Sequence, residues 1–235
     1  MLSDLKEAVF KANQDLVKSG LVIMTFGNVS GIERRRGIVA IKPSGVPYDS
    51  LKADDIVLVD LEGRVVEGWL NPSSDTPTHV ELYRAFPGLG GIAHAHSLYA
   101  TMFAQARREI PCFGTTHADH FRGPVPLTRL LVEPEVVENY ERNTGKIIVE
   151  RFAGIDPLEL PAVLVAGHGP FAWGPTPAAS VETALVLEHV ARIAYGTMTL
   201  DRGLPPLDGY VLEKHYLRKH GPGATYGQKK EKDHD

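Results

Sequence analysis

The chain has one cysteine, Cys112. No internal disulfide can therefore form, and a thiolate-rich zinc site is excluded. No apolar run reaches the 18 residues that a membrane-spanning helix needs. Positive charge is not in excess either: 25 Lys and Arg stand against 29 Asp and Glu, a net charge of −4, which leaves no electrostatic footprint for general nucleic-acid binding. The first residues, Met1-Leu2-Ser3-Asp4-Leu5-Lys6-Glu7, lack the apolar core of a secretory signal. No linker-like or low-complexity stretch divides the 235 residues, which favours one large domain. These absences predict a soluble cytoplasmic protein with neither a nucleic-acid nor a membrane partner. Ten histidines remain, and they carry any transition-metal hypothesis.

Two of them lie in Gly90-Gly91-Ile92-Ala93-His94-Ala95-His96-Ser97. In an extended strand, residues two apart project from the same face, so His94 and His96 form a ready pair of metal ligands. Such a pair also occurs as two strand histidines with ordinary partners, and two imidazoles leave a tetrahedral ion short of ligands. His168 is the leading third candidate. It follows the apolar run Ala162-Val163-Leu164-Val165, read as a buried strand, and precedes Gly169-Pro170, a turn. Asp75, in Ser73-Ser74-Asp75-Thr76-Pro77, is a fourth.

Ser3 caps a first helix with apolar positions Leu5, Ala8, Val9, Ala12 and Leu16, and Gly20 fits just past its end. Residues 21–26 read as a strand and Gly27-Asn28-Val29-Ser30-Gly31 as a loop. Residues 38–42 read as a strand ending at Lys42-Pro43-Ser44-Gly45, and Leu61-Glu62-Gly63 joins a hairpin. Thr76 as N-cap and Pro77 at the first helical position start a helix to about Phe86, which places Ser73, Ser74 and Asp75 at a helix N-terminus. Three small-polar loops thus stand in the first third of the chain, at Gly27-Asn28, Ser44-Gly45 and Ser73-Ser74. They are either unrelated turns or a converging anion cradle. Thr115-Thr116-His117-Ala118-Asp119-His120-Phe121 packs titratable groups more densely than a solvated loop does. Further on, 134–142 reads as a short helix, 143–145 as its stop and 146–152 as a strand. Thr176-Pro177 opens the longest helix, and a last helix covers 208–219. The charged end, 229–235, reads as disordered.

Taken together, Phe26-Gly27-Asn28-Val29-Ser30, Lys42-Pro43-Ser44-Gly45, Pro72-Ser73-Ser74-Asp75-Thr76-Pro77-Thr78-His79, His94-Ala95-His96-Ser97, Gly114-Thr115-Thr116-His117-Ala118-Asp119 and His168-Gly169-Pro170 resemble the class II aldolase/epimerase family, over residues 1–228. Ser73-Ser74-Asp75, where the aldolases have Glu, and the tail from Lys214 through Tyr226-Gly227-Gln228 are similar to its epimerase branch. The resemblance implies a single α/β domain, three-layer α-β-α with a central, mostly antiparallel sheet, in a homotetramer with active sites shared between subunits. It implies Zn²⁺, or another divalent ion such as Mn²⁺ or Co²⁺, held by His94, His96, His168 and Asp75. A sugar phosphate would sit on Gly27, Asn28, Ser44, Gly45, Ser73 and Ser74, with His215 nearby. Asp119 and the Tyr226 of a neighbouring subunit would move the protons while C4 of a ketopentose phosphate is inverted by carbon–carbon cleavage and recombination. The alternatives are an aldolase acting on a ketose 1-phosphate such as L-fuculose 1-phosphate, or a non-catalytic zinc or sugar-phosphate-binding protein.

Overall fold

A computed structural model describes residues 2–225. Its centre is a seven-stranded sheet in the order β4-β3-β2-β1-β5-β7-β6, from β1 (Gly27–Glu33), β2 (Ile38–Ile41), β3 (Val57–Asp60), β4 (Val65–Glu67), β5 (Gly91–Ala95), β6 (Ala162–Leu164) and β7 (Pro170–Gly174). Every neighbouring pair runs antiparallel. The helices are α1 (Leu2–Lys18), α2 (Thr76–Ala85), α3 (Leu98–Gln105), α4 (Thr115–Ala118), α5 (Glu133–Arg151), α6 (Pro177–Leu200) and α7 (Gly209–His220). No helix among the described residues is long and apolar enough to cross a membrane.

Strand alternation assigns the two faces of β1 to different helix layers. Buried Asn13 of α1 donates to the Val29 carbonyl at 3.0 Å and accepts from the Val29 amide at 2.9 Å, pinning α1 to one face. On the other face the Ser30 hydroxyl lies 2.7 Å from His79 Nδ1 and 2.9 Å from the Tyr83 hydroxyl, both on α2. Helix α6 joins α1, and α5 joins α2, so the sheet is sandwiched as the three-layer reading expects. Between sheet and α2/α5, Phe86 and Phe152 pack on Trp173 with ring centroids 5.9 and 5.1 Å apart. Trp173 and Phe171 are fully buried, and truncating either to alanine costs about 3–5 kcal/mol.

Ser3, expected to cap the first helix, already lies inside α1 (Leu2–Lys18), and two segments depart from the sequence reading. The strand expected at 21–26 is a turn, and the expected loop at Gly27–Gly31 is β1 itself. Small residues serve close packing there: a Cβ on Gly31 would lie 2.7 Å from Pro177 Cγ of α6 and 3.0 Å from Leu5 and Val9 of α1. The stop at 143–145 and the strand expected at 146–152 are the second half of α5, which runs to Arg151 with Phe152 as its C-cap. Gly145 marks the contact between α5 and α2, where a Cβ would come 2.7 Å from Glu81 Cβ. Ile147 and Ile148 are buried on that helix. A glycine at a helix crossing and a glycine at a helix end look alike in one dimension.

Candidate active site

His94 is delivered by β5, opposite Asn28 on β1 and Phe171 on β7. His96 follows two residues later, beyond the strand end, and His168 sits in the turn between β6 and β7. The three imidazole centroids are 4.9–5.0 Å apart and the rings meet at 76–89°. Each offers a nitrogen within 4.8 Å of the others. The Nε2 atoms of His96 and His168 face each other at 3.1 Å, and His94 Nε2 is 4.0 Å from Asp75 Oδ2. His94 is already oriented: its Nδ1 donates to the Pro170 carbonyl at 2.9 Å, leaving Nε2 with its lone pair towards the cluster. Phe171 stacks on the same ring at 4.1 Å.

Burial, reinforced by His94 and His96, pushes His168 down to about 4. Burial and His94 also lower His96. Both rings are therefore neutral near pH 7, the state in which imidazole binds a metal. Burial alone would raise the Asp75 carboxyl, but His94, His79 and the Asn28 amide outweigh it and hold Asp75 below the ordinary range, ionised. Asn28 Nδ2 donates to Asp75 Oδ2 at 2.7 Å. Asp75 takes the N-cap position of α2 one residue earlier than expected and makes no cap hydrogen bond, so its carboxylate stays with the cluster. The three imidazole nitrogens, spaced this way, fit a divalent ion, and the Asp75 carboxylate lies beside them, 4.0 Å from His94.

The three small-polar loops do converge. Gly27, Asn28, Ser44, Gly45, Ser73 and Ser74 line one cavity of about 550 Å³ together with Asp75, His94, His96 and His168. Lys42 lies in its floor with a buried side chain. Its ammonium donates to the carbonyls of Val46 at 2.7 Å and Pro43 at 3.2 Å and sits 4.6 Å over the Tyr48 ring. Burial brings Lys42 down to about 8, which still leaves it mostly cationic at neutral pH. Lys42, Tyr140 and Glu141 are wall residues that the sequence does not single out as ligands. Tyr140 and Glu141 are hidden there because the 134–142 helix gives no sign of which face meets the cavity.

Asp119 and His215 do not line this cavity. They form a second cluster where α7 packs on α4. Asp119 Oδ1 accepts from His215 Nδ1 at 3.1 Å and Arg218 Nε at 2.9 Å, and Oδ2 accepts from Arg218 Nη2 at 2.5 Å. Burial would raise Asp119, but the hydrogen bonds from Arg218 and His215 prevail and lower it. Tyr226 lies outside the described residues.

The structure is an antiparallel α/β sandwich with three histidines that could hold a metal ion, one carboxylate beside them and the small-polar residues in the same cavity. The chain belongs to the family described as class II aldolase and adducin N-terminal domain, which matches residues 7–195. It is 53% identical over 228 residues to the L-ribulose-5-phosphate 4-epimerase UlaF of Salmonella paratyphi A, covering 97% of this chain and 100% of that protein; the Salmonella typhi protein matches equally. Among solved structures it is similar to an L-fuculose 1-phosphate aldolase (TM-score 0.75, 27% identity, 90% of this chain and 94% of that one). The L-fuculose-1-phosphate aldolase of Thermus thermophilus is also similar (TM-score 0.62, 26% identity, 86% and 98%).

Proposed function

We propose that this protein is a divalent-metal-dependent epimerase that interconverts L-ribulose 5-phosphate and D-xylulose 5-phosphate. The observation that carries this reading is one cavity holding both the histidine cluster and the anion cradle, in a chain alike along its length to curated 4-epimerases. Zinc suits a site rich in imidazole, and another divalent ion such as Mn²⁺ or Co²⁺ is the alternative. The catalytic domain is taken as 1–228, with 229–235 a charged tail, in a homotetramer working in the cytoplasm.

The carbonyl of the substrate is at C2, so the C4 hydrogen is not acidic and direct deprotonation there is closed. Cleaving C3–C4 instead requires only removal of the C4 hydroxyl proton; the electrons of the broken bond form a dihydroxyacetone enediolate, and C4–C5 leaves as glycolaldehyde phosphate. His94, His96, His168 and Asp75 would hold a divalent ion, which would supply Lewis-acid stabilisation of developing negative charge. Lys42, Asn28 and the five small residues Gly27, Ser44, Gly45, Ser73 and Ser74 grip the phosphate, keeping the aldehyde in place while it turns and is attacked on its other face. The two epimers need proton-transfer groups on opposite sides of C4. We assign these to Asp119 and Tyr226. Since Asp119 stays outside its own chain's cavity, both are taken to act across a subunit boundary, with His215 supporting Asp119.

The test is incubation of the zinc-loaded protein with L-ribulose 5-phosphate. D-xylulose 5-phosphate should form without accumulation of glycolaldehyde phosphate. Net release of the aldehyde would favour the aldolase alternative, and no turnover of this substrate would overturn the proposal.

A further inference from the structure

Helix α5 is two helices joined at Asn139, whose φ of −166° and ψ of 88° are extended. Its Oδ1 accepts from the Arg142 amide at 3.1 Å, the bond by which an N-cap starts a helix. The chain therefore restarts at Tyr140 with its backbone held from two sides. Thr144 Oγ1 donates to the Tyr140 carbonyl at 2.9 Å and Thr78 Oγ1, on α2, donates to the Glu141 carbonyl at 2.6 Å. From that mooring the Tyr140 ring tilts over His168, centroids 6.0 Å apart, and its hydroxyl lies 3.2 Å from His168 Nδ1.

The structure assigns Tyr140 as the positioning residue of His168: its hydroxyl oxygen accepts the Nδ1 proton and so fixes both the ring and its tautomer. The assignment rests on the histidine cluster being a divalent-ion site. His168 Nε2 is the nitrogen that faces His96. A neutral imidazole carries one proton, so an ion on Nε2 requires that proton on Nδ1. His94 solves the same problem with the Pro170 carbonyl, which no side-chain replacement removes. His168 depends on a hydroxyl, and a hydroxyl can be deleted alone.

Tyr140→Phe keeps the ring and deletes the acceptor. Zinc affinity of the full chain is measured by competition with a chromogenic chelator, alongside the visible spectrum of the cobalt-loaded protein and the melting temperature of the metal-free form. Zinc affinity should fall about 10–100-fold, the usual effect of losing an outer partner of a ligating histidine. The cobalt bands should shift while the metal-free melting temperature stays at the wild-type value. Equal zinc affinity in the two proteins would overturn the role of Tyr140 and leave the metal site standing. A parallel drop in the metal-free melting temperature would make Tyr140 a packing residue and overturn it as well. A wild-type chain that takes up no zinc would overturn the metal reading and this inference with it.

Discussion

The two clusters of titratable groups in this chain are built to opposite electrostatic plans. In the cavity, the imidazoles of His94, His96 and His168 gather beside the ionised Asp75, a set of ligand atoms that a cation completes. At the α4–α7 contact, one carboxylate is wrapped by Arg218 and His215, with Lys219 Nζ 4.0 Å away; charge there is already met by protein. The mountings differ too. The three cavity histidines stand on the sheet or directly beside its strands, whereas Asp119 ends a one-turn helix held by α7. A rigid frame suits an ion whose ligand distances tolerate little error. Metal binding and proton transfer are thus expected to be separable functions of separate regions.

The largest effect should come from breaking the first region. His96→Asn should lose bound metal and at least about 10³-fold in turnover together; metal analysis and the epimerase assay read both, and a variant that keeps full metal content would dissolve the contrast. Next, Asp119→Asn should lose about 10²–10⁴-fold in turnover, the range for a positioned acid or base, with metal content unchanged. Loss of metal would mean that the two regions are one. Oligomers mixed from these two inactive variants sharpen the point. If the site is shared, an intact cavity meets an intact α4–α7 face in some assemblies and activity returns; verified mixed assemblies with none would confine the chemistry to one subunit.

Local chemistry was legible where residue type alone decides it. His94 on a strand with His96 close behind it, His168 before Gly169-Pro170, the Thr176-Pro177 helix start and the small-polar loops at Ser44-Gly45 and Ser73-Ser74 are readable, because strand and turn preferences act over a few positions. Thr176 accepts from the Ala179 amide at 3.1 Å, as a cap should. Residues 27–31 and 143–145 were misread because their glycines answer to partners far away in sequence, Pro177 on α6 and Glu81 on α2. Tyr140 was missed for a related reason: the break at Asn139 aims it, and Asn139 in one dimension is one polar residue in a helical run. The convergence of the loops with the histidines is a property of sheet order, which no single motif contains.

The smallest effect is a pH dependence that separates the regions without touching the ligands. His117 of α4 is buried and its Nε2 donates to the Gly123 carbonyl at 2.8 Å. Burial pulls it to about 4, the Gly123 bond opposing this, against 6.5 or so for the unfolded chain. Since the folded value is the lower one, the unfolded state takes the proton first as pH falls. Stability attached to His117 is therefore whole above about 6.5, drains between about 6.5 and about 4, and is flat below that, roughly 3 kcal/mol in all. His117→Gln keeps a donor for Gly123 and cannot titrate. In urea unfolding at several pH values, the variant should lose close to one proton's worth of slope across that window. His168 contributes a similar slope from the cavity, but zinc requires it neutral, so adding zinc should steepen the acid limb in wild type and in His117→Gln by the same amount. A zinc effect that vanished in His117→Gln would show the two clusters to be energetically coupled, and their separation would fail.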